Sequence, residues 1–219
     1  MSNLEGNPQV LKEMPVAPSG PTEAAIYKNL LATIERQLEQ MEGVQIELAD
    51  LAAAADVSLE QVKAFFPVPA AATVALAEHY VQLAAGMIFV DHSGDPEANW
   101  EGVVHEVLKR GRTIYKDHPV AKKIRLGAQQ SAGLRYLLVK SNQLLAERLS
   151  EEIHRLFIVP DQVDLVEELA HGIIISDALL SVSFQLHGEI TDEIIDVAER
   201  AVTGYLVQSL GQRLKIRNG

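Results

Sequence analysis

The sequence predicts an all-α protein, on three observations. Alanine and leucine abound while aromatic residues make up only 5% of the 219, a composition that favours helix over sheet. Apolar residues recur at three- and four-residue spacing in successive segments, and proline, glycine and capping residues separate those segments. No stretch alternates apolar and polar residues long enough to argue for a half-buried strand. With 47% hydrophobic residues and a mean hydropathy of +0.06, the chain is expected to be globular and able to bury a core.

Residues 1–21 read as a flexible arm, because Pro8, Pro15, Pro18 and Pro21 stand beside Gly6 and Gly20. The arm lacks the basic-then-apolar pattern of a secretory signal. Thr22 is placed to cap a first helix with apolar positions Ile26, Leu30, Leu31, Ile34 and Leu38, and Gly43 ends it. A short helix follows from about Glu47 to Ala54. Asp56 then marks a turn, since aspartate tolerates left-handed backbone better than most residues. Ser58 and Gln61 form a capping box for a third helix that runs to about Phe66, where Pro67 and Pro69 stop it. A fourth helix is expected from about Ala70 to Phe89.

In the loop VDHSGDPEANW, Asp95 and Pro96 are suited to start the next helix. Helices are expected over 96–117, 119–127 and 129–157, with Pro119 and Gly127 as breaks. Pro160 and Asp161 open another that reaches His187, Gly188 ends it, and Thr191 caps a last helix extending to about Leu214. The count is about nine helices, with no internal repeat. The most apolar run, GIIISDALLSVSFQL from Gly172, is too short to span a bilayer and carries Asp177. With no cysteine, disulfides and thiolate metal sites are excluded, and a soluble protein of the reducing cytoplasm is expected.

The formal charge of −11 is uneven. Residues 1–89 hold four basic against eleven acidic side chains, while Lys109 to Lys140 holds nine basic residues and one acidic, Asp117. Acidity repels nucleic acid at long range, so that block is the local exception. It reads either as solvated surface or as an attractor for an anionic, phosphate-bearing ligand.

The segment LADLAAAADVSLEQVKAFFP has the layout of a helix-turn-helix. Leu51, Ala55, Val57, Val62 and Phe65 lock the angle between the two helices, Ala52 is small where they touch, and Asp56 sits at the turn. The second helix is capped and ready to enter a major groove. Its solvent-facing residues would be Ser58, Leu59, Glu60, Gln61, Lys63 and Ala64. Gln61 suits adenine, Glu60 can accept from cytosine N4, and Leu59 or Ala64 can meet a thymine methyl. Phosphate neutralisation normally supplies much of the affinity, yet residues 21–65 hold only Lys28, Arg36 and Lys63.

A first helix ending at Gly43, this motif, and the long fourth helix ATVALAEHYVQLAAGMI together resemble the tetracycline-repressor (TetR) family of bacterial regulators. The resemblance covers about residues 22–89; the remainder is similar in helix count, length and an apolar C-terminal pair. It implies a DNA-binding domain over 22–68 and a larger ligand-binding and dimerisation domain over 69–219. This chain departs from the family pattern in the DNA-contacting part. Lys63 stands where a phosphate-contacting tyrosine is usual, Phe65 where a histidine or tyrosine precedes the phenylalanine, Asp56 for the turn glycine, and Pro69 for a backbone-gripping lysine.

The last two helices are apolar on more than one face, and such helices must be buried in their own subunit or against another. As a homodimer bundle, their interface would draw on Ile173, Ile174, Leu180, Phe184, Ile194, Ile195, Val202 and Tyr205. The ligand-binding candidates are aromatic and histidine side chains of the middle and late helices: Tyr80, Trp100, His105, Tyr115, Tyr136, His171 and Phe184. Seven histidines show no metal-ligand spacing, Glu101, His105 and Lys109 read as a solvated helix face, and no nucleophile or phosphate-loop motif is present. No metal, cofactor or enzymatic activity is expected. Two functions remain open. One is a dimeric repressor that releases a palindromic double-stranded operator when a small, mostly apolar effector binds. The other is a TetR-like scaffold without DNA binding that carries a lipid or other apolar molecule.

Overall fold

The computed structural model describes residues 7–87 and 99–217. They form α1 (Pro8–Glu13), α2 (Pro21–Gln40), α3 (Leu48–Ala55), α4 (Leu59–Phe65), α5 (Pro69–Met87), α6 (Trp100–Asp117), α7 (Pro119–Leu126), α8 (Ala132–Leu156), β1 (Phe157–Ile158), α9 (Leu165–His187), α10 (Asp192–Leu210) and β2 (Lys215–Ile216). The fold is all-α, as the composition predicts. Packing divides the chain into two compact units: Met1–Val81 with His118–Val139, and Gln82–Asp117 with Lys140–Gly219. The division falls inside α5 and α8 and so follows packing rather than the 22–68 and 69–219 limits expected from the sequence.

In the first unit the described part of the arm, from residue 7 on, is not free. Asn7 Oδ1 accepts from Gln9 N at 2.9 Å, and the helix it starts buries Val10 and Glu13. α2 begins one residue before the expected cap, with Gly20 at its N-cap and Pro21 in its first turn, where the missing N–H costs nothing. Thr22 does not cap; instead Glu23 Oε2 accepts from Ser19 N and Ser19 Oγ, each at 2.7 Å. α2 buries Leu30, Ile34 and Leu38 at four-residue spacing. It packs on α3 and α7. At its C-terminal end the Lys123 ammonium donates to Leu38 O at 2.9 Å and to Met41 O at 2.6 Å. Phe66, Ala71, Val74, Leu76, Val120, Ile124, Leu126 and Leu134 are buried as well.

The second unit is built around Trp100, which is fully buried with Val103, Val104, Leu149, Ile153, Phe157, Leu165, Leu169, Val202, Leu206 and Leu210. Among the described residues α6 starts at Trp100, where Asn99 Oδ1 accepts from Gly102 N at 2.8 Å; the expected start at Asp95 and Pro96 lies outside the described residues. α9 begins later than expected, because the cap is Asp164, accepting from Glu167 N at 3.1 Å, rather than Asp161. Gly188 ends it in a left-handed conformation, and Thr191 caps α10 as expected. α10 stops at Leu210, not Leu214, because Gly211 turns the chain at φ 72°. The chain then forms β2, which pairs antiparallel with β1, Phe157 opposite Ile216 and Ile158 opposite Lys215, in a two-stranded ladder that the sequence pattern did not announce.

α9 and α10 form an antiparallel hairpin, with Gly172 against Val202 and Leu206 at one end and Ser183 bonded to Glu189 O at the other. The apolar run from Gly172 lies within a 23-residue helix that is, by length and composition, long enough to cross a membrane. Here that helix packs against α10.

Candidate DNA-reading helix and C-terminal helix pair

The turn between α3 and α4 forms as the sequence implies. Asp56 takes φ 55° and ψ 45°, the left-handed well, and Val57 N donates to Ala52 O at 3.1 Å. Leu51, Ala52, Ala55, Val62 and Phe65 are all buried, so the small residue lies at the helix contact and the larger ones lock it. The motif is held from behind by α2. Asn29 Nδ2 donates to Ala55 O at 3.0 Å, and the Tyr27 ring meets Phe65 edge-on at 5.3 Å and Phe66 at 5.5 Å. Burial, with the Glu78 charge, pushes the Tyr27 phenol up to about 12, so it stays protonated and neutral among these rings.

Ser58, Leu59, Glu60, Gln61, Lys63 and Ala64 are all exposed, as expected of a reading face. Two of them also cap the helix. Ser58 Oγ accepts from Gln61 N at 3.1 Å and Gln61 Oε1 accepts from Ser58 N at 3.0 Å, closing the capping box in both directions. Bidentate recognition of adenine needs the amide oxygen and nitrogen of glutamine together. Gln61 Oε1 is engaged at the cap, while Leu59, Glu60, Lys63 and Ala64 are the other exposed side chains of that helix. Lys63 is the single cation on that helix, beside Glu60.

The ligand-binding candidates are not gathered in one unit. Tyr80 and Tyr136 belong to the first, and Trp100, His105, Tyr115, His171 and Phe184 to the second. Tyr80 is buried and its hydroxyl donates to Glu35 Oε1 at 2.7 Å; burial, then this bond, drives its pKa well above the ordinary phenol value. The His118 ring stacks tilted on Tyr80 at 5.5 Å and its Nδ1 lies 3.5 Å from the same Glu35 oxygen. Trp100, expected near a pocket, is instead a core residue, its indole N–H donating to Gly211 O at 3.2 Å. His105 turns to Glu199 of α10 at 2.9 Å rather than to Glu101. His171 Nδ1 lies 3.0 Å from the Tyr205 hydroxyl. A bond to Glu168, then burial, pushes the Tyr205 phenol up to about 12.

The basic block is divided between the units, Lys109 to Lys116 and Lys140 in the second and Lys122 to Arg135 in the first. Several of its charges have internal work: Arg112 pairs with Asp192, Lys109 and Arg110 with Glu106, and Lys123 with the end of α2. Among the described residues no cluster of histidine and acidic side chains could hold a metal ion. An open depression in the second unit is lined by Ser150, His154 and residues 161–166.

Of the interface candidates, Ile174 is exposed, and Ile173, Phe184, Ile194, Ile195 and Tyr205 are half-buried. Leu180 and Val202 are buried within the protomer, Val202 in the Trp100 core, so neither is open to a partner. Of the outward stripe of α9 the sequence reading names Ile174 and misses Val182 and Leu186. Ile174, Val182 and Leu186 are 52%, 54% and 73% exposed, with Ala178 between them at the same four-residue spacing. That spacing was the signal. It was obscured because residues 173–175 are apolar on every side.

Residues 98–210 match a family model described as tetracyclin repressor-like, C-terminal domain. The fold is similar to that of a crystal structure of a TetR-family transcriptional regulator from Streptomyces coelicolor. The TM-score is 0.63 at 20% identity, over 86% of this chain and 99% of the other. No curated protein matches the chain. The chain belongs to the tetracycline-repressor (TetR) family of transcriptional regulators.

Proposed function

We propose that the protein is a dimeric, ligand-responsive transcriptional repressor acting in the cytoplasm, by binding rather than by catalysis. Residues 22–68 serve as the DNA-binding domain and residues 69–219 as the ligand-binding and dimerisation domain. The observation that carries this reading is α4: a doubly capped helix behind a left-handed turn, offering Leu59, Glu60, Lys63 and Ala64 to solvent. A helix of this kind in each subunit of a dimer enters successive major grooves of a palindromic operator. Exposed apolar residues of α9, with the half-buried Ile194, Ile195 and Tyr205 of the helix pair, make the subunit contact. A small apolar effector bound in the C-terminal domain releases the operator to the extent that it binds the non-DNA spacing more tightly.

Genomic-fragment capture tests the reading. Purified protein at about 0.1 M salt is expected to enrich a few fragments sharing a palindrome, competed away by that duplex. Enrichment no greater than that of a Lys63→Ala control sinks it. The second reading, a TetR-like carrier of a lipid or other apolar molecule, is favoured by the charge of the motif, where Lys63 is accompanied by Asp50, Asp56 and Glu60. Co-purified lipid, with no captured DNA, is its expected outcome.

A further inference from the structure

We propose that residues 8–16 are a strap, latched by Glu13 on the first turn of α8, that fixes the position of α4; its bearing on DNA rests on the reading of α4 given above. The strap is bonded at two points. At one end Val16 N donates to Phe65 O at 2.8 Å. Phe65 is the last residue of α4, and a helix leaves its final carbonyls without internal partners, so this bond ties down the end of the element. Three residues earlier Glu13, only 5% exposed, accepts from Gly133 N through Oε2 at 2.5 Å and from Gln9 Nε2 through Oε1 at 2.5 Å.

A carboxylate does not enter a protein interior without compensation, since desolvation costs several kcal/mol. Here it faces the positive end of a 25-residue helix. Burial pushes the Glu13 carboxyl up, but the Gly133 N–H, Gln9, Ser131 and the Arg135 charge together hold it below its ordinary value. The receptor for the latch is specific to glycine. A Cβ on residue 133 would lie 2.7 Å from Glu13 Cβ and 3.1 Å from its Oε2.

α4 has seven residues, too few to be stable alone, so tethers decide where it sits. Two residues separate Glu13 from Val16, and one of them is Pro15, whose fixed φ limits slack. Movement at the latch is therefore transmitted to the end of α4. Glu13 is a positioning residue: it holds the reading helix without touching DNA.

Amide hydrogen exchange of the full-length protein tests this without any DNA. Glu13→Ala and Gly133→Ala, two unrelated ways of opening the latch, are each expected to speed exchange across residues 59–66 about tenfold or more. Amides of α2 and of α9 keep their protection. Glu13→Gln, which keeps an acceptor for Gly133 N–H, recovers part of the loss. Unchanged α4 exchange in both alanine variants overturns the strap. So does protection lost evenly over α2, α4 and α5, which would make Glu13 a general core contact. With an operator in hand, the same variants bind it about tenfold more weakly while Glu13→Gln binds it nearer to wild type. If the wild-type protein captures no operator, the DNA reading of α4 fails, and the exchange result still decides the strap.

Discussion

The two packing units are held together in different ways. The first has an apolar core, with Leu30, Ile34, Leu51, Phe66, Leu126 and Leu134 buried, and adds directional bonds that position its short helices: Asn29 Nδ2 donates to Ala55 O, Lys123 Nζ to Leu38 O and Met41 O, Thr73 Oγ1 to Val44 O, Gly133 N to Glu13, and Val16 N to Phe65 O. Its helices α3, α4 and α7 have eight, seven and eight residues, so in each the terminal groups without helical partners outnumber the internal bonds. The second is an aliphatic core around Trp100, framed by helices of 18, 23 and 19 residues. Burial there is non-directional and scales with area. Buried area stabilises both units, and in the first the directional bonds add a fixed placement for helices too short to hold their own orientation.

Truncation in the second unit gives the largest expected effect. Trp100→Ala removes the side chain at the centre of that core and is expected to cost roughly 3–5 kcal/mol, read by chemical denaturation. A cost below about 1 kcal/mol would break the comparison, since the core would then not depend on area. Gly172→Leu is next. An added Cβ already lies 3.3 Å from Val202 Cγ1, so a larger side chain forces α9 and α10 apart at roughly 1–3 kcal/mol.

In the first unit Ser58→Ala is expected to cost about 1 kcal/mol, because it unpairs the capping box while leaving every apolar contact in place. The same measurement sharpens the comparison, for a cap matters most to a helix of two turns. Acid should also act on this unit through Glu13. Its pKa is lowered in the fold, so its contribution is complete above the unfolded carboxylate value of 4.5 and is lost as pH falls through the lower folded value. Exchange of α4 amides at decreasing pH, compared with Glu13→Gln, reads that loss. The smallest effect is Asp56→Gly, expected to stabilise by a few tenths to about 1 kcal/mol, since φ 55° strains any residue with a Cβ.

The all-α class, the turn at Asp56, the capping box at Ser58 and Gln61 and the exposure of the α4 face were written in the sequence. Each depends on residues within four positions of one another, and local sterics and local hydrogen bonds operate over that range. Tertiary packing decided the rest. It drew residues 7–16 onto α8 and α4, because the acceptor of Val16 N–H and the donor to Glu13 lie tens of residues away. It placed Trp100 in a core, and it turned Leu180 and Val202 inward while leaving Ile174, Val182 and Leu186 outward. Where a helix is apolar all round, periodicity cannot tell one face from another. Only the neighbouring helix chooses which side is covered.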